Sequence, residues 1–192
     1  MRRAKLITIG GSAGSLQVIL SILSAVGPEF PLPVLIVVHR NGVFESNLEE
    51  LFATRTRALI KEVEEKEAVL SGTIYIAPAD YHVLIEKDHT FSLDYSERVN
   101  FSRPSIDVTF RCAADVYGAD LVCVLLSGGN ADGVEGLRYV KQMGGVVVAQ
   151  DPATAEVPYM PQHAITRVAV DFIIPAGEMP AFLRGLAYLP PV

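Results

Sequence analysis

Short apolar runs alternate along the chain with longer segments that mix apolar and polar residues. Residues 6–9, 34–38, 73–77 and 121–126 are such runs, and strands buried on both faces of a parallel sheet have this continuous apolar character. Residues 16–26 instead have apolar side chains at positions 16, 19, 20, 23 and 26, the spacing of an amphipathic helix. This alternation predicts βαβ units and a mainly parallel sheet.

The remaining pattern completes the predicted fold. Two short runs on either side of residues 87–89 predict a β-hairpin near residues 81–95. The other predicted elements are helices over 48–56, from Ser105 or Asp107 to Tyr117, from Gly133 to Met143, near 161–166 and from Gly177, and strands over 146–149 and 172–174. The predicted class is α/β, a doubly wound, mainly parallel sheet with helices on both faces. No repeat or linker interrupts residues 1–192, which we expect to form a single domain.

Composition narrows the classes of function. Half of the 192 residues are hydrophobic, a fifth are charged, and the net charge is −6. Without a Lys/Arg-rich stripe, nucleic acid is not an expected partner. The apolar runs are too short to insert into a membrane. Glycines interrupt the apolar run that follows the basic N-terminus, which argues against a signal peptide, so we expect a cytoplasmic protein. Cys112 and Cys123 are then expected to be reduced thiols.

Three polar residues follow three of the apolar runs. Ser12 comes after residues 6–9, His39 directly after residues 34–38, and Asp132 in the glycine-rich turn after residues 121–126. Ligands of open α/β sheets bind at the carboxyl ends of the strands, so we expect these residues to meet at one edge. A serine needs an imidazole to take its proton and a carboxylate to orient that imidazole. The pattern therefore predicts a Ser-His-Asp hydrolase.

Each of these residues has an alternative interpretation. Residues 10–14 match Gly-x-Ser-x-Gly, the nucleophile elbow, but a glycine-rich turn after a first strand can also bind phosphate. The full dinucleotide fingerprint is absent. Asp132 is also suited to capping a helix.

Other histidines compete with His39 for the role of base. The chain order of α/β-hydrolases would select His163, yet His163 falls near a helix start, where it would lie on the surface or cap the helix. His82 is expected to be structural and His89 a solvated turn residue. No histidine spacing indicates a metal site, so we predict neither a metal nor a cofactor.

Several motifs occur together in a recognisable order. They are Ile-Gly-Gly-Ser-Ala-Gly-Ser at 9–15, Val-Val-His at 37–39, Gly-Thr-Ile-Tyr-Ile-Ala-Pro-Ala-Asp-Tyr-His at 72–82, Arg-Pro-Ser-Ile-Asp at 103–107, Leu-Ser-Gly-Gly-Asn-Ala-Asp-Gly at 126–133, Gly-Gly through Ala-Gln-Asp at 144–151 and Tyr-Met-Pro at 159–161. This succession resembles the catalytic domain of the chemotaxis protein-glutamate methylesterases (CheB), over about residues 4–187.

The resemblance implies an activity and a set of roles. The family hydrolyses glutamyl methyl esters on cytoplasmic helices of methyl-accepting chemoreceptors, and deamidates certain receptor glutamines. By motif, Ser12 is the nucleophile, His39 the base and Asp132 the orienting carboxylate, while Ala13, Gly129 and Met160 surround the oxyanion. The family uses no cofactor or metal, and a phosphorylated receiver domain in a longer chain relieves its inhibition.

The sequence departs from the family near the site. Ala13 stands where the family has threonine, Gly129 where it has methionine, Asn130 where it has glycine, and Arg40-Asn41 where it has Met-Pro. These changes leave open a different ester or amide substrate, or a non-catalytic signalling or binding module.

Two expectations about the site follow. In an enzyme, Ser12 Oγ should lie near one His39 nitrogen and Asp132 near the other. Arg40, Arg98 and Arg103 are candidates for steering an acidic receptor, or are ordinary solvated arginines.

Overall fold

The computed structural model describes residues 4–39 and 48–187. The strands are β1 (Leu6–Gly11), β2 (Val34–Val38), β3 (Leu59–Glu62), β4 (Thr73–Ile76), β5 (His82–Ile85), β6 (Phe91–Asp94), β7 (Leu121–Leu125), β8 (Val146–Gln150) and β9 (Phe172–Ile174). The helices are α1 (Leu16–Ala25), α2 (Leu48–Ala53), α3 (Ile106–Tyr117), α4 (Val134–Gln142), α5 (Tyr159–Arg167) and α6 (Met179–Ala187).

Seven strands form one sheet in the order β3-β4-β2-β1-β7-β8-β9, with every neighbouring pair parallel. Strands β5 and β6 pair separately as an antiparallel hairpin. The predicted parallel sheet and hairpin are both confirmed. The apolar pattern does not predict strand β3, because Leu-Ile-Lys-Glu is half polar and its first residue, Leu59, is 62% exposed at the edge of the sheet.

Helices cover both faces of the sheet, as a doubly wound fold requires. One core cluster joins α1, α2 and α6 to the sheet, and a second joins α3, α4, α5 and the hairpin to the other face. Along β1, Ile7 and Ile9 belong to the first cluster and Leu6 to the second, because successive side chains of a strand point to opposite faces.

Two predicted helices have different bounds in the structure. Helix α2 ends at Ala53 instead of residue 56, and the Thr56 hydroxyl bonds to the backbone oxygen of Val26, which draws the chain away from the helix. Helix α5 begins at Tyr159, before Pro161. Proline is tolerated there because the first-turn amides of a helix have no partner within it.

Strand β1 occupies the position that matters most for a ligand. It pairs with β2 on one side and β7 on the other, so the chain leaves β1 in one direction and later returns on the opposite side. Such a reversal of strand order opens a crevice at the carboxyl ends of the strands. Ser12 follows β1, His39 follows β2, and Asp132 lies in the turn after β7.

Candidate active site

Ser12 lies in a turn that is fixed through its backbone. Its N–H donates to Ser127 O at 2.9 Å, and its carbonyl accepts both the hydroxyl of Ser15 at 2.7 Å and the N–H of Ser15 at 3.0 Å. Gly14 has a φ of +77°, which strongly favours glycine. Among the described residues, the Ser12 hydroxyl itself makes no hydrogen bond, so it is available to a substrate or to His39.

Gly128 brings a second turn close to Ser12. A Cβ at this position would lie 2.7 Å from Met160 Sδ and 3.1 Å from Ser12 Cβ. Its N–H donates to Val157 O at 3.1 Å, and its carbonyl accepts the N–H of Met160 at 2.9 Å. The buried Met160 side chain therefore packs beside Gly128 and borders the Ser12 turn.

His39 and Asp132 form a close pair. Asp132 Oδ2 lies 2.7 Å from His39 Nε2, with the two side chains 0% and 12% exposed. The N–H of His39 also donates to Gly11 O at 3.2 Å, which ties the end of β2 to the residue before Ser12. Because Asp132 occupies Nε2, Nδ1 is the nitrogen left for Ser12. No hydrogen bond joins Ser12 Oγ to either His39 nitrogen in this part of the chain, and catalytic contacts of this kind often tighten only when substrate binds.

Asp132 is also bound to the N-terminus of α3. Its carboxylate accepts the backbone N–H groups of Ile106 at 2.7 Å and Asp107 at 3.2 Å, and the Ser105 hydroxyl at 2.9 Å. Burial alone would raise the pKa of Asp132, but hydrogen bonds from His39, Asn100 and Ile106 outweigh it, so that the pKa lies below its ordinary value. Asp132 is therefore ionised at neutral pH.

A second buried carboxylate, Asp107, lies next to Asp132. The Nδ2 group of Asn100 donates to Asp107 Oδ2 at 2.8 Å and to Asp132 Oδ1 at 3.1 Å, so one amide bridges both acids. Gly136 N–H donates to Asp107 Oδ1 at 2.6 Å. Burial first, and then the charge of Asp132, raise the pKa of Asp107 to about 6 against the opposing hydrogen bonds.

Sequence reasoning misses Asn100 and the contact of Asp107 with this network, whereas it predicts a structural role for His82. His82 is fully buried, its Nδ1 accepts the N–H of Ser105 at 3.1 Å, and its Nε2 contacts Glu97 O at 3.0 Å. The ring thus anchors the start of α3, which fits its predicted structural role. The one signal in the sequence is Ser105, a candidate helix cap; its side chain accepts the N–H of Val108.

The backbone amides near Ser12 differ in availability. Those of Ser12 and Gly128 are already bonded within the protein. Those of Ala13 and Gly129 have no acceptor among the residues that the structure describes, and both residues are exposed. The amide of Met160 is used by Gly128, so Met160 offers its side chain to the site and not its N–H.

Among the described residues, the remaining candidates make no hydrogen bond to His39 or Asp132. The His163 ring stacks on Tyr159 at 4.1 Å, and the His89 ring lies 5.2 Å from that of Tyr117. The Arg103 guanidinium donates to the carbonyls of Tyr95 and Ser96 and thereby stabilises the loop between β6 and α3. Arg98 is mainly exposed, and Arg40 lies outside the described residues.

The described residues contain neither a metal site nor a membrane span. Within 4–39 and 48–187, no three His, Cys, Asp or Glu side chains are placed to hold a metal ion. Over the same ranges, no helix combines the length and apolar character needed to cross a bilayer.

Comparisons with known proteins find relatives that match along most of the chain. The profile of the family described as CheB methylesterase matches residues 7–183. A Leptospira interrogans protein is 45% identical over 168 residues, which cover 88% of this chain and 87% of that protein. The protein-glutamate methylesterase/protein-glutamine glutaminase of Thermotoga maritima is 33% identical over 185 residues, 95% of this chain but 54% of that protein.

A solved structure has the same fold. The crystal structure of the Thermotoga maritima CheB methylesterase catalytic domain superimposes with a TM-score of 0.90 at 33% identity. The match covers 95% of this chain and 98% of the crystallised chain. The similarity therefore extends over almost the whole catalytic domain of that protein.

Proposed function

Since the chain belongs to the CheB methylesterase family, we propose that it hydrolyses glutamyl methyl esters on chemoreceptors and deamidates receptor glutamines. The observation that carries this proposal is the 2.7 Å pair of His39 and Asp132 at the strand edge that also presents Ser12. In this proposal the substrate segments are cytoplasmic receptor helices, and a phosphorylated receiver domain is the expected regulator.

The proposed reaction uses the three residues in sequence. Ser12 Oγ attacks the side-chain carbonyl carbon of the methylated glutamate while His39 takes the hydroxyl proton through Nδ1. The proton then passes to the leaving methoxide, which departs as methanol and leaves a glutamyl-serine ester. Water, deprotonated by His39, hydrolyses that ester and regenerates Ser12. With glutamine as substrate, ammonia departs instead.

Asp132 supports the proposed base through its charge. Its ionised carboxylate holds the proton on Nε2, so that Nδ1 is unprotonated and can accept the serine proton. The same charge stabilises the imidazolium formed during the reaction. Five protein donors hold the carboxylate in place, so little reorganisation is needed at the moment of proton transfer.

The amides of Ala13 and Gly129 are the proposed oxyanion donors. Both lie in glycine-rich turns, beside Ser12 or next to Gly128, and neither is bonded elsewhere in the described structure. A free, preorganised N–H can stabilise the charge that develops on the carbonyl oxygen. Replacement of the family's methionine by Gly129 preserves this donor, because the N–H belongs to the backbone.

Methanol release from a methylated receptor fragment tests the proposal. Ser12→Ala should lower kcat by at least about 10⁴-fold, as loss of a triad nucleophile does. Ser21→Ala is the matched control, because Ser21 is exposed on α1 and its hydroxyl donates to Val18 O within the same helix. Circular dichroism should show both variants folded. Methanol release by Ser12→Ala at the wild-type rate would refute Ser12 as the nucleophile.

A further inference from the structure

The loop beside the site ends in a tight two-residue turn. Ser102 N–H donates to Val99 O at 2.9 Å, and Val99 N–H donates to Ser102 O at 3.2 Å. The two residues between them, Asn100 and Phe101, have φ values of +51° and +64°. Positive φ at both central positions is the signature of a type I′ turn.

Phe101 is an unfavourable residue for its position. Asparagine suits the first central position of such a turn, and glycine is the usual second residue. A bulky side chain at positive φ is strained. The Phe101 side chain is 96% exposed, so packing within the protein does not offset this cost. Folding stability therefore gives no reason for phenylalanine here, and a strained residue near a site points to function.

The turn connects Phe101 directly to the catalytic network. Asn100 directs its amide inward to Asp132 and Asp107, while the next residue extends into solvent. Arg103 stiffens the base of the loop: its guanidinium lies 3.8 Å from the centre of the Tyr95 ring and bonds to two backbone carbonyls. The turn that carries the exposed ring is thus anchored beside Asp132.

Further apolar surface surrounds the base of this turn. Tyr95 is 65% exposed, and its ring lies 5.5 Å from that of Tyr81. Val99 is also partly exposed, and the mainly exposed Arg98 guanidinium lies 3.9 Å from a carboxylate oxygen of Asp80. This surface is therefore suited to a partner segment that presents apolar side chains.

We propose that Phe101 is a specificity-determining residue that packs against an apolar side chain of the receptor helix, about one turn from the glutamate being hydrolysed. This inference rests on the proposed function. A ring that projects almost entirely into solvent cannot enclose a small ligand, whereas a protein surface can cover it. On a helix, residues three or four apart are neighbours, so an apolar residue at that spacing lies beside the glutamate.

The test separates docking from catalysis. Phe101→Gly should leave the melting temperature unchanged or higher, because glycine suits the turn, and should leave kcat unchanged. Its KM for a methylated receptor fragment should rise about tenfold, the typical effect of losing one aromatic contact residue. Labelling of Ser12 by a small fluorophosphonate should proceed at the wild-type rate. Phe101→Leu should retain most of the affinity.

Leu59→Ala is the matched control, since Leu59 is 62% exposed on the distant edge strand β3. It should leave KM unchanged. An unchanged KM in Phe101→Gly, with an active wild-type enzyme, would overturn the docking role alone. Sedimentation provides a further check. If the wild type is a dimer, Phe101→Gly is a monomer and KM is unchanged, Phe101 serves self-association and the docking role is likewise overturned. No hydrolysis of receptor ester by the wild type would overturn both the proposed function and this inference.

Discussion

Asp132 receives hydrogen bonds from the end of β2, from the loop before α3 and from two amides of α3 itself. The sequence leaves two interpretations open for this residue, a helix cap and a partner for histidine. The structure combines features of both, because Asp132 binds the N-terminus of α3, while its own helix begins after Gly133 without a side-chain cap. Local sequence could not identify the capped helix, which lies earlier in the chain.

Asn100 separates two acids that would otherwise repel each other. Asn100→Asp keeps the size and the tolerance of positive φ, but replaces two donated hydrogen bonds with a third negative charge. We expect it to destabilise the protein by about 2 kcal/mol at pH 8, because Asn100 is itself exposed but its two hydrogen bonds to buried carboxylates are lost. The loss should shrink as the pH falls and a carboxyl group becomes protonated. Urea unfolding at pH 8 and pH 5 measures both effects.

Asn100→Gly is the control for this substitution, because glycine also suits the turn but adds no charge. It should be less destabilising than Asn100→Asp at pH 8. Equal losses for the two variants would contradict the electrostatic role of the amide.

The elements around Ser12 depend on close approach between turns. Gly128→Ala would place a methyl group against the Met160 side chain and near Ser12 Cβ. Overpacking of this kind costs about 1 to 3 kcal/mol, and the displaced Met160 should also lower kcat. Thermal unfolding and methanol release report the two consequences separately.

Gly177→Ala is a suitable control, since an added Cβ there would meet nothing within 4 Å. It should change the free energy of unfolding by no more than about 1 kcal/mol and should leave the activity unchanged. Wild-type stability and activity in Gly128→Ala would show that the Met160 side chain yields without cost.

Strands that coincide with apolar runs can be predicted from the sequence. Contacts between residues that are distant in the sequence cannot. Strands β2 and β7 are buried almost throughout and have purely apolar sequences. Their positions alone therefore predict that His39 and Asp132 lie at one edge of the sheet. The contacts of Asn100 and Asp107 depend on how α3 packs on β1 and α4, where Gly10 and Gly136 permit close approach. No periodicity in the sequence encodes that packing.

At the scale of the whole molecule, Asp107 links stability to pH. Its pKa of about 6 lies above its ordinary value of 3.8, so folding favours the protonated form. Its contribution to the free energy of unfolding is complete below about pH 4 and is lost as the pH rises through 6. Asp132 has a lowered pKa, so folding favours its ionised form. Its contribution to the free energy of unfolding is present at neutral pH and is lost only as the pH falls through that lowered pKa.

Asp107→Asn removes the group that titrates in this window. Between pH 4.5 and pH 7, the wild type should lose more of its free energy of unfolding than Asp107→Asn does. The two losses should differ by on the order of 2 kcal/mol. Denaturant unfolding of both proteins at the two pH values measures this difference. The comparison depends on the change with pH and not on the absolute stability of the variant. Identical changes in both proteins would contradict a raised pKa for Asp107.

The position of β1 between β2 and β7 also bears on how such a site can be inherited. The partners of Ser12 come from opposite sides of that strand, and Asp132 is bound by the start of α3, which precedes β7 in the chain. Any continuous stretch of gene that carries all three residues must therefore encode everything from Ser12 to Asp132. Recombination with an unrelated gene inside that stretch would leave each product without the full set of three residues.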